Sequence, residues 1–357
     1  MLRALELAEK GRGSTSPNPM VGAVIARGGE VIGEGYHHYT GGPHAEVNAL
    51  ENSVEDAAGA TLYVTLEPCA HEGRTPPCAG RLVESKIARV VMAARDPNPL
   101  VSGKGESFLR DNGVEVVDGP YSELALRLNE AYFGWVTTGL PFVTMKMAMS
   151  LDGKAATRTG ESRWISSEAS RADVHCMRAE SDAVMVGIGT VVQDDPQLTV
   201  RTVEGRPNPL RVVVDSLART PVDSNVADTG IARTLIAVSN SAPEESVRGL
   251  EARGVEAVRL DDGGKVDLLG LLKLLGGRGV TCLQVEGGPE LTRAMWESRL
   301  VDKLVFYFAP KVISGCGAPG PIGGAGVASI EDAGPLVIDA IFEMGPDFKV
   351  IAYPEVD

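Results

Sequence analysis

Apolar and small residues alternate through "VGAVIARGGEVIGEGY" (21–36) on both sides of Gly28-Gly29, which predicts a β-hairpin. Before it, Leu2, Leu5 and the Ala4/Ala8 pair fall at helical spacing and predict a first helix. A helix is predicted over about 44–52, a strand in "TLYVTL", and a helix in "CAGRLVESKIARV" running into the strand "RVVMAA". "GVEVV" reads as a further short strand, and "SELALRLNEAYFGWVTTG" as one long amphipathic helix ending near Gly139. Strands alternating with helices over about 140 residues predict an α/β layer fold.

Gly139-Leu140-Pro141 then marks a boundary, because helices end at glycine followed closely by proline. Beyond it comes a second strand set: "FVTMKMA", "DAVMVG", "LRVVVD", "TLIAVS", "VEAVRL", "TCLQVEG", "KLVFYFA" and "FKVIAY". Helices are predicted in "SEASRADVHCMRAE", "PEESVRGLEARG" and "PELTRAMWESR", so residues 141–357 read as a second α/β domain. The glycine-rich "GCGAPGPIGGAG" (315–326) reads as one mobile loop.

Charge narrows the classes of function. The 357 residues carry net −14, and both halves are acidic: residues 1–140 hold 12 Lys+Arg against 18 Asp+Glu, the rest 22 against 30. Neither half offers the basic field that nucleic-acid binding needs. No 18-residue apolar run predicts a membrane-spanning helix, and the N-terminus lacks the apolar core of a signal peptide. Five cysteines in so long a chain do not make a disulfide scaffold, so a reducing cytoplasm is the expected compartment.

Four of the five histidines lie in the first 71 residues. "PHAEV" supplies His44 and Glu46, and "LEPCAHEGRTPPC" supplies Cys69 and Cys78. This is close to the zinc-deaminase pattern H-x-E…P-C-x-x-C, except that position 72, where the second cysteine belongs, is Glu. His44, Cys69 and Cys78 give one nitrogen and two sulfurs, leaving the fourth tetrahedral position open for water, as in catalytic zinc sites. Zinc lowers the pKa of that water to ~7. Glu46, not itself a ligand, is placed to carry protons to the ring nitrogen and the leaving amine. His175, Cys176, Cys282 and Cys316 form no such cluster and read as packing or surface residues, as does His38.

The second domain offers glycine after strands instead. "VMVGIGT" runs into Gly187-Ile188-Gly189-Thr190, and "LQVEGGPEL" into Gly287-Gly288-Pro289 and a helix. Such junctions present backbone N–H groups to phosphate. Neither is a full G-x-G-x-x-G, so a Rossmann domain is not predicted.

"TSPNPMVGAVI", "GEGYH", "PHAEV" and "VTLEPCAHEGRTPPC" closely resemble the deaminase half of the bifunctional riboflavin-biosynthesis deaminase–reductase family. In that family the second cysteine follows after eight residues, as Cys78 does here; Ala70 stands where the family usually has Ser. "KMAMSLDGKAA", "GESRWISS", "VGIGTVVQDDPQLTVR", "VVVDS" and "VEGGPEL" resemble its reductase half, in the family's order. The resemblance implies a cytidine-deaminase-like three-layer α/β domain over 1–140 and a dihydrofolate-reductase-like α/β domain over 141–357. It implies one zinc ion per deaminase site, and Asn18, His37, His71 and Arg74 lining that substrate pocket. Asn18 suits a pyrimidine edge, and His71 and Arg74 a ribose phosphate. For the reductase it implies that Ala148, Trp164, Thr190, Asp194, Gly287, Gly288 and Pro289 hold NADPH. Ser162, Arg178, Leu198, Arg201 and Glu286 are implied to hold the substrate, with Lys146 nearby. The activity implied is hydrolytic deamination of a phosphoribosyl diaminopyrimidine, then reduction of its ribosyl chain.

Two other readings compete. One is a nucleoside or tRNA deaminase fused to a folate-type reductase, against which stand the acidic charge and the cysteine spacing. The other is a structural-zinc module with a nucleotide-sensing domain, which would normally close its site with a fourth Cys or His. The partners expected are a small-molecule substrate and further copies of the chain, with no nucleic acid and no membrane.

Overall fold

The computed structural model describes residues 1–70, 77–99, 101–203 and 205–355. They divide into two compact units, Met1–Leu140 and Pro141–Asp357.

The first unit runs α1 (Leu2–Glu9), β1 (Gly22–Arg27), β2 (Glu30–Tyr36), α2 (Ala45–Glu51), β3 (Thr61–Val64), α3 (Cys78–Glu84), β4 (Arg89–Met92), α4 (Lys104–Asp111), β5 (Glu115–Asp118), α5 (Ser122–Leu128) and α6 (Glu130–Thr138). Its sheet has the order β2-β1-β3-β4-β5, antiparallel at β1 and parallel from β3 to β5. Strand alternation sorts side chains into two cores. Ala23, Ile25, Leu62 and Val64 pack with Ala45, Ala79, Leu82 and Leu109 of α2, α3 and α4. Val24 and Tyr63 face α1 on the other side, so three layers form. A methyl group at Gly35 would lie 2.3 Å from the Ala49 backbone nitrogen, so only glycine lets α2 settle this close to β2.

The helix predicted across 122–139 is two helices, α5 and α6, broken at Asn129. The buried Asn129 amide accepts from Met20 N (2.7 Å) and donates to Met20 O (2.9 Å). A tertiary contact has overridden the local periodicity.

The second unit runs β6 (Phe142–Ser150), α7 (Glu168–Glu180), β7 (Ala183–Gly187), α8 (Ile188–Asp194), β8 (Leu210–Val214), β9 (Thr234–Val238), α9 (Glu244–Glu251), β10 (Glu256–Arg259), β11 (Asp261–Asp262), β12 (Lys265–Val266), α10 (Leu268–Gly277), β13 (Cys282–Val285), α11 (Pro289–Glu297), β14 (Lys303–Ala309), β15 (Leu336–Met344) and β16 (Asp347–Pro354). The main sheet has the order β10-β9-β8-β7-β13-β6-β14-β16-β15. It is parallel through β14, after which β16 and β15 add an antiparallel edge. In β6, Met145, Met147 and Met149 are buried on one face. Lys146 and Ala148 alternate to the other, where Ala148 packs with Val174 of α7 and with Val305 and Tyr307 of β14. No helix among the described residues is long and apolar enough to cross a membrane.

Candidate active sites

Strand ends build the first site. His44 is the N-cap residue of α2, Cys78 opens α3 behind Pro77, and Cys69 sits in the loop after β3, so only two of the three expected ligands stand at helix starts. Their ligand atoms lie within 4.8 Å of one another. Cys69 Sγ is 3.5 Å from His44 Nδ1 and 3.2 Å from Cys78 Sγ. The backbone closes the gap that the sequence leaves: Ala79 N donates to Cys69 O at 3.1 Å, and Cys69 N to Cys78 Sγ at 3.0 Å. Hydrogen bonding from Cys78 holds the Cys69 thiol down at about 4, while burial pushes the Cys78 thiol up. Two sulfurs this close cannot both be thiolates without a cation to share, and this nitrogen and sulfur donor set suits zinc.

Glu46 is buried one residue inside α2, and burial pushes its carboxyl up, the direction expected of a proton carrier. It lines a cleft of about 360 Å³ together with His44, Cys69, Asn18, His37 and Trp135. Burial also pushes the His37 imidazole down, which keeps it neutral. Its Nδ1–H donates to Pro43 O (3.0 Å), leaving Nε2 to accept from Asn18 Nδ2 (3.2 Å). Asn18 and His37 thus meet at the cleft, whereas His71 and Arg74 lie outside the described residues.

Sequence reasoning passed over Asp96, Asn98 and Tyr132, which line the same cleft. Asp96 is buried, accepting from Tyr132 Oη (3.2 Å) and Asn98 N (2.9 Å). The signal was present: "DPNP" follows β4 at the carboxyl end of a parallel strand, where open α/β sheets place binding residues. Glu67 of "LEPC" has a structural task, accepting from the backbone N–H groups of Gly103, Gly105 and Glu106 at the start of α4.

In the second unit, Glu286 at the end of β13 meets Arg178 of α7 in a two-point pair, Nε–Oε1 2.5 Å and Nη2–Oε2 2.8 Å. Gln284 Nε2 donates to the same carboxylate (3.0 Å), and Lys146 Nζ lies 3.4 Å away. Burial alone would push Glu286 up, yet the charges of Arg178 and Lys146 overcome it and hold the carboxyl at about 2. Arg178, Leu198, Arg201 and Trp164 line one cleft of about 370 Å³, and Arg178 Nη1 also donates to Thr199 O (3.3 Å). Arg201 is steadied by the buried His175 (3.4 Å).

The residues implied for the dinucleotide form a linked series. Gly288 caps α11 and Pro289 opens it; a methyl group on Gly288 would lie 3.4 Å from Thr190 Oγ1, so the two glycine junctions adjoin. One on Gly287 would lie 2.9 Å from Leu291, which keeps this turn bare of side chain. Such a bare junction beside a helix start fits a phosphate-bearing cofactor. Asp194 ends α8 and is bound to Arg163, whose guanidinium faces the Trp164 ring at 5.7 Å; Arg171 faces it at 4.7 Å. Ser162 adjoins Arg163, its carbonyl taken by Ile165 N (3.1 Å). Ala148, half-buried, packs against Val174, Val305 and Tyr307.

A three-layer domain with a His-Cys-Cys centre and a buried glutamate, followed by a mixed-sheet domain with a helix-start cradle, defines a zinc deaminase joined to a nucleotide-dependent reductase. Residues 1–94 match the cytidine and deoxycytidylate deaminase zinc-binding region, and residues 141–344 the RibD C-terminal domain. The riboflavin biosynthesis protein RibD of Bacillus amyloliquefaciens is 41% identical over 355 residues, 99% of this chain and 95% of that protein. The RibD structure from Acinetobacter baumannii is 37% identical with a TM-score of 0.90, covering 99% of this chain and 98% of its own. The diaminohydroxyphosphoribosylaminopyrimidine deaminase/5-amino-6-(5-phosphoribosylamino)uracil reductase of Thermotoga maritima is 36% identical with a TM-score of 0.87, covering 99% and 97%. The chain belongs to the RibD family, the bifunctional deaminase–reductases of riboflavin biosynthesis. Zinc in the deaminase domain and NADPH in the reductase domain are its cofactors.

Proposed function

We propose that the unit Met1–Leu140 deaminates 2,5-diamino-6-(5-phosphoribosylamino)pyrimidin-4-one and the unit Pro141–Asp357 reduces the product. The convergence of His44, Cys69 and Cys78 beside the buried Glu46 carries this reading. His44, Cys69 and Cys78 would hold a zinc ion, which would supply a water acidic enough to give hydroxide near neutral pH. Glu46 would carry one proton of that water to the ring nitrogen and the remaining hydroxyl proton to the amine, which leaves as ammonia while a ring carbonyl forms. Asn18, held by neutral His37, addresses the pyrimidine edge; His71 and Arg74 take the ribose phosphate. NADPH would supply hydride to the sugar C1′ in its opened imine form, the matching proton reaching the nitrogen from solvent. Thr190, Asp194, Trp164 and the Gly287-Gly288-Pro289 turn hold the dinucleotide, and Ala148 gives it room. Ser162, Arg178, Leu198, Arg201 and Glu286 seat the substrate, with Lys146 beside them.

A coupled assay with the phosphoribosyl diaminopyrimidine tests the pairing. Ammonia should appear without NADPH, and NADPH oxidation should require the deaminated product; absence of ammonia release from zinc-loaded protein overturns the reading. Arg201→Ala should raise the reductase KM about tenfold, as expected for losing a charge-assisted phosphate contact, and leave ammonia release untouched. Equal damage to both activities would count against separate sites.

No disulfide joins the cysteines among the described residues, which fits the cytoplasm. We also propose that a second copy of the chain covers β15. This edge strand of nine residues exposes Val337, Ile338, Ile341 and Phe342, and an edge with so much exposed apolar surface invites pairing. Phe342→Lys should shift sedimentation from dimer towards monomer; an unchanged profile sinks the idea.

A further inference from the structure

The wall of the deaminase cleft that carries Asn18 is held internally by one turn bond, Asn18 N–H donating to Thr15 O (2.7 Å). Pro17 and Pro19 flank Asn18 and have no N–H to give. The segment is pinned at one end, where Thr40 Oγ1 donates to Thr15 O (2.6 Å) and Ser16 O (2.5 Å). At the other end, Met20 N–H and C=O are both taken by the Asn129 side chain, 109 positions away. Asn129 is buried and is also the residue from which α6 starts, and α6 carries Tyr132, Trp135 and Val136 on the same cleft. Leu128, Tyr132 and Phe133 pack on Leu66, Ala93 and Ala94 at the strand ends, giving Asn129 a firm seat.

We infer that Asn129 is a positioning residue for deamination: its amide fixes the 17–20 wall, and Asn18 on it, against α6. This rests on the proposal that Asn18 contacts the pyrimidine. An amide is suited to the task, because it gives one acceptor and one donor to a single backbone residue, as a neighbouring strand would. The local sequence favours an unbroken helix through 122–139, so the break at Asn129 is the structural cost of this contact.

Asn129→Ser is the variant of choice, since serine keeps a small polar side chain but is too short to span both Met20 groups; Asn129→Ala checks it. The deaminase KM should rise about tenfold, a loss of about 1.4 kcal/mol, with kcat changed far less. Zinc content and reductase kinetics, read on the same full chain, should stay as they were. In an Asn18→Ala background the Asn129 substitution should add little, because both act through one contact. Unchanged KM overturns the inference. So does a parallel fall of zinc content and both activities in both variants, which would mean a general structural role. A silent Asn18→Ala alongside a raised KM in Asn129→Ser would discard the Asn18 contact and keep Asn129's hold on the wall.

Discussion

Glu46→Gln should keep its zinc and lose ammonia release by about 10³-fold or more, the scale of a general acid–base group that serves every proton transfer in the reaction. The ligand atoms belong to His44, Cys69 and Cys78, so the metal has no reason to leave. Glutamine has the same shape but cannot accept the proton. Glu46 is buried and its ionised form is opposed by that burial, so the neutral substitute should hold the melting temperature level or raise it. NADPH oxidation with the deaminated substrate should survive, because the reductase residues belong to the unit Pro141–Asp357. Unchanged ammonia production, measured beside metal content on one preparation, would remove Glu46 from its role.

The hairpin was legible because its alternation brackets Gly28-Gly29, and His44 was legible at a helix start because Gly-Gly-Pro precedes it. Cys78 was harder. Eight intervening residues carry no ligand spacing of their own; the donor set and the family resemblance point to Cys78, and the Cys69–Cys78 backbone contacts bring the two together. The break at Asn129 could not be read, since the apolar period runs straight through it and its cause lies at Met20. β15 escaped for the opposite reason: "LVIDAIFEM" is exposed along most of its length, so no buried face imposes an alternating pattern. In the reductase, the substrate residues came from the family resemblance alone. The Arg178–Glu286 pair, 108 positions apart, is a product of topology that places α7 over the end of β13.

That pair should give the largest effect in the second unit. Its members are 11% and 7% exposed as side chains, and Lys146, 16% exposed, adds a second, half-buried cation. Glu286→Gln leaves both cations without their counter-charge, a loss of about 3–5 kcal/mol for breaking one partner out of a buried pair. Reductase activity should collapse, since Arg178 lines the substrate cleft and takes its direction from this carboxylate, while ammonia release continues. The pH dependence has a definite sign. Glu286 is held at about 2, below its unfolded value, so its contribution is complete above the unfolded carboxyl pKa of roughly 4.3. It is lost as pH falls from there towards about 2. Calorimetry should therefore find the stability gap between native protein and Glu286→Gln constant from neutrality down to mild acid, and narrowing below. A gap that widens in acid, or a variant as stable and as active a reductase as the native chain at neutral pH, would mean that the Glu286 carboxylate is not what holds Arg178 and Lys146 in place.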